Sequence, residues 1–333
     1  MGVFLGLAGI VVLVYYTGFK PIAEALHKGG FALALLLLLY PLEILPRAYA
    51  WYIIFPLVPK PGYRFFLKGM WLGQSVNRLL PTASLGGDVV RARLLLLRRQ
   101  PQAPVLASLI ADKTAHATST LTLLLAGLAL LATRVSNPQL MWAMWISAFV
   151  LVVLIILFIR LQTSTRASVW LEKWQRKGQG VFSNAGDTAR QVEQYLKELY
   201  RKPGLFTASV AVRVLYNAAL AAEIYFAAAL MQSPVSWAEA LTLRLVSFSV
   251  RSMAFMIWGG LGVQEGAYAL LSSFVGLTPG TLVALSLATR VREIGAAIPG
   301  VITWLAGEGK RFYHQSSGGN QASAATKQPY NVP

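Results

Sequence analysis

The sequence predicts an all-α, polytopic integral membrane protein. Of its 333 residues, 56% are hydrophobic and only 13% are charged, whereas soluble domains carry about 25% charged residues. The mean hydropathy is +0.54, and several apolar runs approach the roughly 20 residues that a helix needs to cross a bilayer. Helices are expected in these runs because backbone groups in lipid need hydrogen-bond partners within their own segment, and the alternation typical of strands is missing.

About six full spans are predicted, together with two polar, glycine-rich breaks in otherwise apolar sequence. The spans cover residues 3–19, 31–55, 103–133, 140–159, 205–231 and 281–305. The broken segments cover residues 65–97 and 238–274, and each is expected to form a broken or re-entrant helical hairpin. Paired breaks at corresponding places in two halves of a chain are typical of a transport site.

Basic residues set the predicted orientation. The longest hydrophilic stretch, residues 160–203, is rich in Lys and Arg and is expected to form cytoplasmic, amphipathic helices on the membrane surface. Both termini are then cytoplasmic, and residues 31–133 and 205–305 form an inverted repeat of span, hairpin and span. Residues 1–312 make one transmembrane domain, and the Ser-, Gly-, Asn- and Gln-rich segment 313–333 is expected to be a disordered tail.

Charge and composition exclude several classes of protein. The net charge of +17 is explained by basic loops that face anionic or amphipathic membrane lipids, and nucleic acid is not expected because no basic domain stands apart from the spans. The chain has no cysteine, so disulfides and thiolate chemistry are excluded. Signatures of nucleotide-binding loops, zinc proteases and serine hydrolases are missing. No cofactor, no metal and no enzymatic activity are therefore expected.

The first break contains a candidate headgroup site. Pro81, Gly86 and Gly87 are expected to end one helix, and Asp88 stands where the next helix begins. Asp88 is either the N-cap of that helix or part of a site in which the helix N-terminus binds an anionic headgroup. It could also take up a proton or cation that drives transport. The other polar candidates of this break are Asn77, Arg78 and Arg91.

The second break repeats this pattern. Gly260 and Gly262 interrupt the apolar sequence, and Glu265 opens the following arm. The glycines could serve only close helix packing, but a carboxylate in apolar surroundings is costly unless it is paired or hydrated. Arg251 and Arg290 are both plausible partners for it.

Charged residues also lie inside the spans that follow the breaks. Asp112 and His116 are four residues apart and are expected on one helix face, with Lys113 pointing elsewhere. Arg290 and Glu293, three residues apart, form the corresponding pair in the second half. Structural ion pairing and a substrate or proton pathway remain open for both. Further polar positions within spans, expected to pack or pair, are Glu43, Arg47, Arg213, Asn217 and Glu223.

Four runs carry a resemblance to a known family. They are SVNRLLPTASLGGDVVRARLL, ADKTA, GGLGVQEGAYALL and SLATRVREIGAAIPGVITW. Together they resemble the flippase-like membrane-domain superfamily that includes the transmembrane half of lysylphosphatidylglycerol synthases, and within it the sequence is similar to the hopanoid-biosynthesis-associated membrane proteins of bacteria. The resemblance implies a protein of the bacterial inner membrane that moves or handles lipids. The family's motif positions fall on Asn77, Pro81, Gly86, Gly87, Asp88, Arg91, Asp112, Lys113, Gly260, Gly262, Glu265 and Gly266.

The expected function is therefore lipid transport through a site between the two breaks. The soluble aminoacyl-transfer domain of the full synthases is not found after Leu305, so lysyl transfer is not expected. Two alternatives stay open. A membrane enzyme acting on a lipid-linked substrate would require a divalent metal and would alter the lipid covalently. A non-transporting partner of lipid-synthesis enzymes would tolerate every substitution of the charges inside the spans.

Overall fold

The computed structural model describes residues 15, 19–56, 60–80, 85–132, 185–253 and 261–325, together with isolated positions between 142 and 160. Within these ranges the chain is helical and contains no strand, as the sequence predicts. A 3₁₀ segment, Gly30–Leu39, joins the first two helices. The helices are α1 (Phe19–Gly29), α2 (Tyr40–Ile53), α3 (Tyr63–Leu79), α4 (Gly86–Leu97), α5 (Gln102–Ala132), α6 (Ala185–Arg201), α7 (Pro203–Ala219), α8 (Ala221–Leu230), α9 (Trp237–Met253), α10 (Val263–Leu270), α11 (Ser272–Val275) and α12 (Pro279–Ala325).

Three helical stretches in the described ranges are long and apolar enough to cross a membrane. They are Ile22–Ile53, Gln102–Ala132 and Pro203–Leu230, and the last two agree with the predicted spans to within two residues at each end. The first begins nine residues earlier than predicted because α1 and the 3₁₀ segment continue directly into α2. The predicted span 281–305 lies inside α12, where Arg290, Arg292 and Glu293 give it more charge than a plain apolar span has.

Parts of the predicted architecture fall outside the described residues. The predicted span 3–19 does so except for Tyr15 and Phe19, and the predicted span 140–159 is described only at isolated positions. Helix α12 continues to Ala325, so the structure differs from the predicted disordered tail over residues 313–325. Residues 326–333 are outside the described part of the chain.

The first break separates two helices that pack against each other. Helix α3 ends at Leu79, Leu80 is extended with φ −109° and ψ 140°, and α4 begins at Gly86. The backbones of α3 and α4 approach so closely that a Cβ atom on Gly87 would lie 2.3 Å from the carbonyl oxygen of Gly73. The interruption predicted from Pro81 and the two glycines is therefore present, and it forms a tight helical hairpin.

The second break has the same order of elements. Helix α9 ends at Met253, and α10 begins at Val263 directly after Gly262. Gly262 has a φ of +78°, a conformation that costs glycine little and other residues more. Residues 254–260, which include the predicted site residue Gly260, lie outside the described part of the chain.

The first arm of each hairpin packs against the last long helix of the other half. Helix α3 packs on α12, and α9 packs on α5. Small residues make both approaches close: a Cβ atom on Gly300 of α12 would lie 2.0 Å from Oγ of Ser75, and one on Gly127 of α5 would lie 3.0 Å from Val246. The first spans of the two halves, α2 and α7, also pack together. Helices of the two predicted halves therefore pack against each other in a reciprocal way.

Helix α6 covers one end of this bundle. It lies in the hydrophilic stretch predicted to be amphipathic, and it buries Val192 and Leu196 against Ile54, Ala103 and Ala107. These contacts place α6 beside the end of α2 and the start of α5. The basic loop after α2 and the link between α4 and α5 lie in the chain next to the same two helix ends.

Candidate functional site: a buried ionic network between the breaks

A buried ionic network joins the two halves around Arg292 of α12. Its side chain is 1% exposed, and its Nε and Nη2 donate to the carboxylate oxygens of Glu223 at 2.7 and 3.0 Å. Its Nη1 donates to Glu43. Because Glu43 lies in α2 and Glu223 in α8, one guanidinium group links the first span of one half to that of the other. A forked pair of this kind compensates the large cost of burying charges.

The first arms of the two hairpins end at the same carboxylate. Arg251, in the last turn of α9, donates from Nη1 and Nη2 to the two oxygens of Glu293 at 2.7 and 2.8 Å. Arg78, in the last turn of α3, lies 4.0 Å from Oε1 of Glu293 and donates to Glu43 at 2.6 Å. The two breaks, 173 residues apart when measured between these arginines, therefore meet at one point inside the bundle.

The second break is held by Glu265. One of its oxygens accepts the backbone N–H of Gly262 at 2.8 Å, which satisfies a free donor at the start of α10. The other accepts from Nε of Arg290 at 2.7 Å, and the carboxylate is 1% exposed. Next to it, Gln264 accepts from Arg251 at 2.7 Å and donates to Ser286 at 3.0 Å. Polar side chains from α9, α10 and α12 are thus joined in one hydrogen-bonded group.

A second cluster of charged side chains lies at the first break. Asp88, in the first turn of α4, pairs with Arg91 and lies 2.9 Å from Nζ of Lys113 on α5. Arg91 also donates to Asp112 at 2.7 Å, and Asp112 pairs on its other side with Arg213 of α7. In both halves, then, the acidic residue that opens the second hairpin arm pairs with a basic residue on the long helix that follows.

The backbone of the first break is fixed by Asn77. Its Oδ1 accepts the N–H of Gly87 at 2.7 Å, so the end of α3 satisfies a donor in the first turn of α4. Gly87 is required at this point, because a side chain there would collide with Gly73 and Asn77. This contact sets the position of Asp88, the next residue along the chain.

Positive charge exceeds negative charge in the two clusters. Nine basic side chains face six acidic ones, an excess of three positive charges. The acidic residues are Glu43, Asp88, Asp112, Glu223, Glu265 and Glu293, and the basic residues are Arg47, Arg78, Arg91, Lys113, Arg213, Arg244, Arg251, Arg290 and Arg292. Eight of the nine basic side chains are at most 21% exposed. A buried group of arginines with surplus charge is suited to bind phosphate or carboxylate oxygens.

The described side chains do not offer a clustered metal site. Among them, no three His, Asp or Glu residues come together in the way that a metal ion would require. Asp112, which sequence spacing places one turn from His116, is engaged by two arginines instead.

A comparison with known protein families shows which family the chain belongs to. The family described as the lysylphosphatidylglycerol synthase transmembrane region matches residues 3–300. The chain belongs to this family. No curated protein and no solved structure matches the sequence significantly. Membership agrees with the resemblance seen in the four sequence runs, and with a membrane protein linked to lipid metabolism.

Most of the predicted site residues of this synthase-family member come together in the structure. Each of the described acidic and basic candidates belongs to one of the two charged clusters. Gly86 is the first residue of α4, Gly87 makes the close contact at the first break, and the N–H of Gly262 donates to Glu265 at the second. Pro81 and Gly260 lie outside the described residues. That these residues form a lipid-transport site stays a prediction.

The structure corrects three expectations from the sequence and decides a fourth, the ion-pair partner of Glu265. Asp88 is not an N-cap, since Leu85 holds that position and Asp88 lies within the first turn. Arg290 and Glu293 do not pair with each other: Arg290 binds Glu265, and Glu293 binds Arg251. This also decides the partner of Glu265. Lys113 does not point away, because it reaches Asp88 across the groove between α4 and α5.

Asp112 and His116 share a helix face but do not form a couple. Asp112 is held by arginines of α4 and α7, and Nδ1 of His116 is buried without a hydrogen-bond partner in the described residues. The ring of His116 lies 6.0 Å from that of Phe248 on α9, edge to face. Helical spacing predicted the shared face correctly, but other helices supply the partners of Asp112.

The sequence analysis missed the central role of Arg292 and Arg244. Arg292 binds Glu43 and Glu223 together, and Arg244 of α9 donates to Asn217 at 2.9 Å and lies 4.0 Å from Glu223. The signal was present, because both are arginines within apolar stretches, where unpaired charge is costly. Three of the five residues expected to pack or pair in the spans, Glu43, Asn217 and Glu223, are the partners of these arginines.

Proposed function

We propose that this chain is a flippase-like lipid transporter of the bacterial inner membrane. An amphipathic lipid places its headgroup in the buried ionic network, while its acyl or polycyclic tail stays in the bilayer. The observation that supports this best is the meeting of the two breaks: Arg78 and Arg251 end the first hairpin arms, and both reach Glu293 within a network of surplus positive charge.

The network favours an anionic headgroup. Guanidinium groups bind phosphate oxygens through two parallel hydrogen bonds, and such a group would offset part of the three surplus positive charges. In the proposed cycle, headgroup oxygens take over some of the bonds that Glu293 and Glu265 now accept from Arg251 and Arg290. While Arg251 binds the headgroup, Arg78, which lies 4.0 Å from Glu293, would keep that carboxylate paired, and this lowers the cost of moving a charged group through the membrane interior.

The proposed mechanism uses the two halves as an inverted repeat. It takes the chain to have about six spans with two broken hairpins, and both termini on the cytoplasmic side. The recurring order of span, hairpin and span and the reciprocal packing of α3 on α12 and α9 on α5 support this proposal. Rocking of the two halves about the network would open it to each leaflet in turn.

The lipid is proposed to be a phospholipid, a hopanoid or another amphipathic lipid of the same membrane. Membership in the lysylphosphatidylglycerol synthase transmembrane family supports a lipid cargo. The proposal assigns no catalytic step to this chain and takes enzymes of lipid synthesis as the suppliers of its substrate.

The test is lipid scrambling in proteoliposomes. Fluorescent lipids with different headgroups are reconstituted with the protein, and a reductant that reaches only the outer leaflet quenches them. Active protein brings quenching clearly beyond the outer-leaflet half. We expect Asp88→Asn and Glu265→Gln to abolish this excess while expression and monodispersity stay normal. Glu198→Gln is the matched control, since Glu198 is an exposed carboxylate on α6.

Two results would overturn the proposal. If the Asp88→Asn and Glu265→Gln variants both scramble every lipid as fast as wild type, neither of the two charged clusters is the transport site. If wild-type protein gives the same quenching as empty liposomes for all headgroups, with and without a proton gradient, lipid transport is rejected. Equal loss in Glu198→Gln would show that the effect is not specific to the network.

A further inference from the structure

A basic cavity lies at the end of the first hairpin, away from the ionic network. It has a volume of about 640 Å³ and is lined by the loop before α3, the first turns of α3 and the residues after α4. This volume falls within the roughly 300–1,000 Å³ of typical ligand pockets. Its lining includes four basic side chains and no acidic one: Lys60, Arg64, Lys68 and Arg98.

Two of these cations are not neutralised by the described residues. Arg64 and Lys68 are exposed and form no ion pair with any side chain in the described ranges. Since they lie four residues apart in α3, they project from the same helix face and repel each other. An anion bound between them would remove this repulsion.

The other two cations are held in place by aromatic rings. Nζ of Lys60 donates to the carbonyl oxygen of Tyr52 at 2.9 Å and lies 3.9 Å from the centre of its ring. The guanidinium group of Arg98 lies 5.6 Å from the ring of Phe65. Helix α3 also begins at the cavity, and its N-cap, Gly62, offers no side-chain acceptor to the free N–H groups of the first turn. The positive end of the helix dipole therefore adds to the charge of the cavity.

The surroundings place this cavity at the depth of lipid headgroups. It follows directly on the membrane-length stretch Ile22–Ile53. Tyr49, Tyr52 and Tyr63 form a cluster beside it with ring centres 6.0–6.4 Å apart, and Tyr49 is 47% exposed. Exposed tyrosines at the end of a spanning helix are typical of the boundary between membrane and water.

We propose that this cavity binds the headgroup of an anionic phospholipid, favouring one with two phosphates, as a resident lipid and not as transported cargo. Four cations match two phosphates better than one, and basic pockets beside spanning helices hold such headgroups. The site is distinct from the ionic network, because Arg64 and Arg78 are separated by 14 residues of α3, or about 20 Å along the helix.

The test compares two double variants by native mass spectrometry in detergent. Arg64→Gln/Lys68→Gln removes two charges from the cavity, and Arg201→Gln/Lys202→Gln removes two exposed charges from the end of α6 as a matched control. Dissociation constants are measured for cardiolipin, with phosphatidylcholine as the neutral reference. Each basic residue contributes about fivefold to binding an anionic lipid, so the cavity variant should bind cardiolipin about 25-fold more weakly. The control should stay within about twofold of wild type.

Three outcomes would overturn this assignment. Unchanged cardiolipin binding in Arg64→Gln/Lys68→Gln would show that the cavity is not the site, and equal loss in the control would reduce the effect to overall charge. Displacement of cardiolipin by inorganic pyrophosphate at equal concentration would show that the cavity takes a soluble anion instead of a lipid. Thermal unfolding without added lipid should give the same midpoint for both variants, since neither cavity residue has an ion-pair partner in the described part of the chain.

Discussion

Gly87 offers the sharpest test of how the first break is built. A Cβ atom at this position would lie 2.3 Å from the carbonyl oxygen of Gly73 and 2.6 Å from Nδ2 of Asn77, far inside ordinary contact distance. The change Gly87→Ala must therefore push α4 away from α3. That movement also breaks the 2.7 Å hydrogen bond from the Gly87 N–H to Asn77.

The magnitude follows from these two losses. Overpacking a tight contact costs about 1–3 kcal/mol, and leaving a buried donor unsatisfied costs about 1–3 kcal/mol more. Alanine recovers at most about 1 kcal/mol through its better helix propensity. We therefore expect Gly87→Ala to lower the free energy of unfolding by about 1–6 kcal/mol.

The assay is unfolding by increasing mole fraction of a denaturing detergent, followed by tryptophan fluorescence. The matched control is Gly266→Ala, the same chemical change in α10 at a position where no atom lies within 4 Å of the added Cβ. That variant should be unchanged or slightly more stable. Equal stability of Gly87→Ala and wild type, or equal destabilisation of both variants, would refute the close packing of α3 on α4.

Three further predictions use the same unfolding measurement. Arg292→Met leaves two buried carboxylates without their shared partner, so it should cost about 3–5 kcal/mol; a loss below about 1 kcal/mol would argue against a central role for this arginine. Gly300→Ala places a Cβ atom 2.0 Å from Oγ of Ser75 and should destabilise by about 1–3 kcal/mol, whereas Gly307→Ala, with open space around it, should not. Glu24→Gln breaks the ion pair with Lys20, whose side chain is 87% exposed while that of Glu24 is 62% exposed. Because so exposed a pair contributes little, the unfolding midpoint should stay unchanged. A clear shift would show that α1 has a role in stability beyond this pair.

Local patterns predicted the helical elements well. The bounds of α5 differ from the predicted span by one residue at each end, because a long apolar run between a proline and polar sequence leaves little freedom. The first break was also predictable, since a proline is unfavourable inside a helix, although Gly86 and Gly87 open α4 instead of separating two helices. The start of the first span was not predictable. The 3₁₀ segment Gly30–Leu39 begins at a glycine with φ +46° and continues the helical chain through a position where the sequence suggests an end.

The pairing of charges could be predicted only in part. Sequence spacing shows which charges share a helix face, but not how the helices are rotated against each other. Glu265 had two plausible partners, Arg251 and Arg290, and only the packing of α10 on α12 decides for Arg290. The bond from Arg292 to Glu43 joins residues 249 positions apart, and nothing in either neighbourhood identifies the other residue.

That long separation has a consequence for how the protein is made. A ribosome adds about 5–20 residues per second, so about 12–50 s pass between the synthesis of Glu43 and that of Arg292. During this time the first half is already entering the membrane, while α3 still lacks the α12 surface on which it packs. Until the second half arrives, Glu43 therefore lacks Arg292, and lipid, water or the insertion machinery must cover the surface of α3 that later packs on α12. Production of residues 1–133 alone would accordingly give an unstable fragment, and co-expression of the two halves would be needed to rescue it.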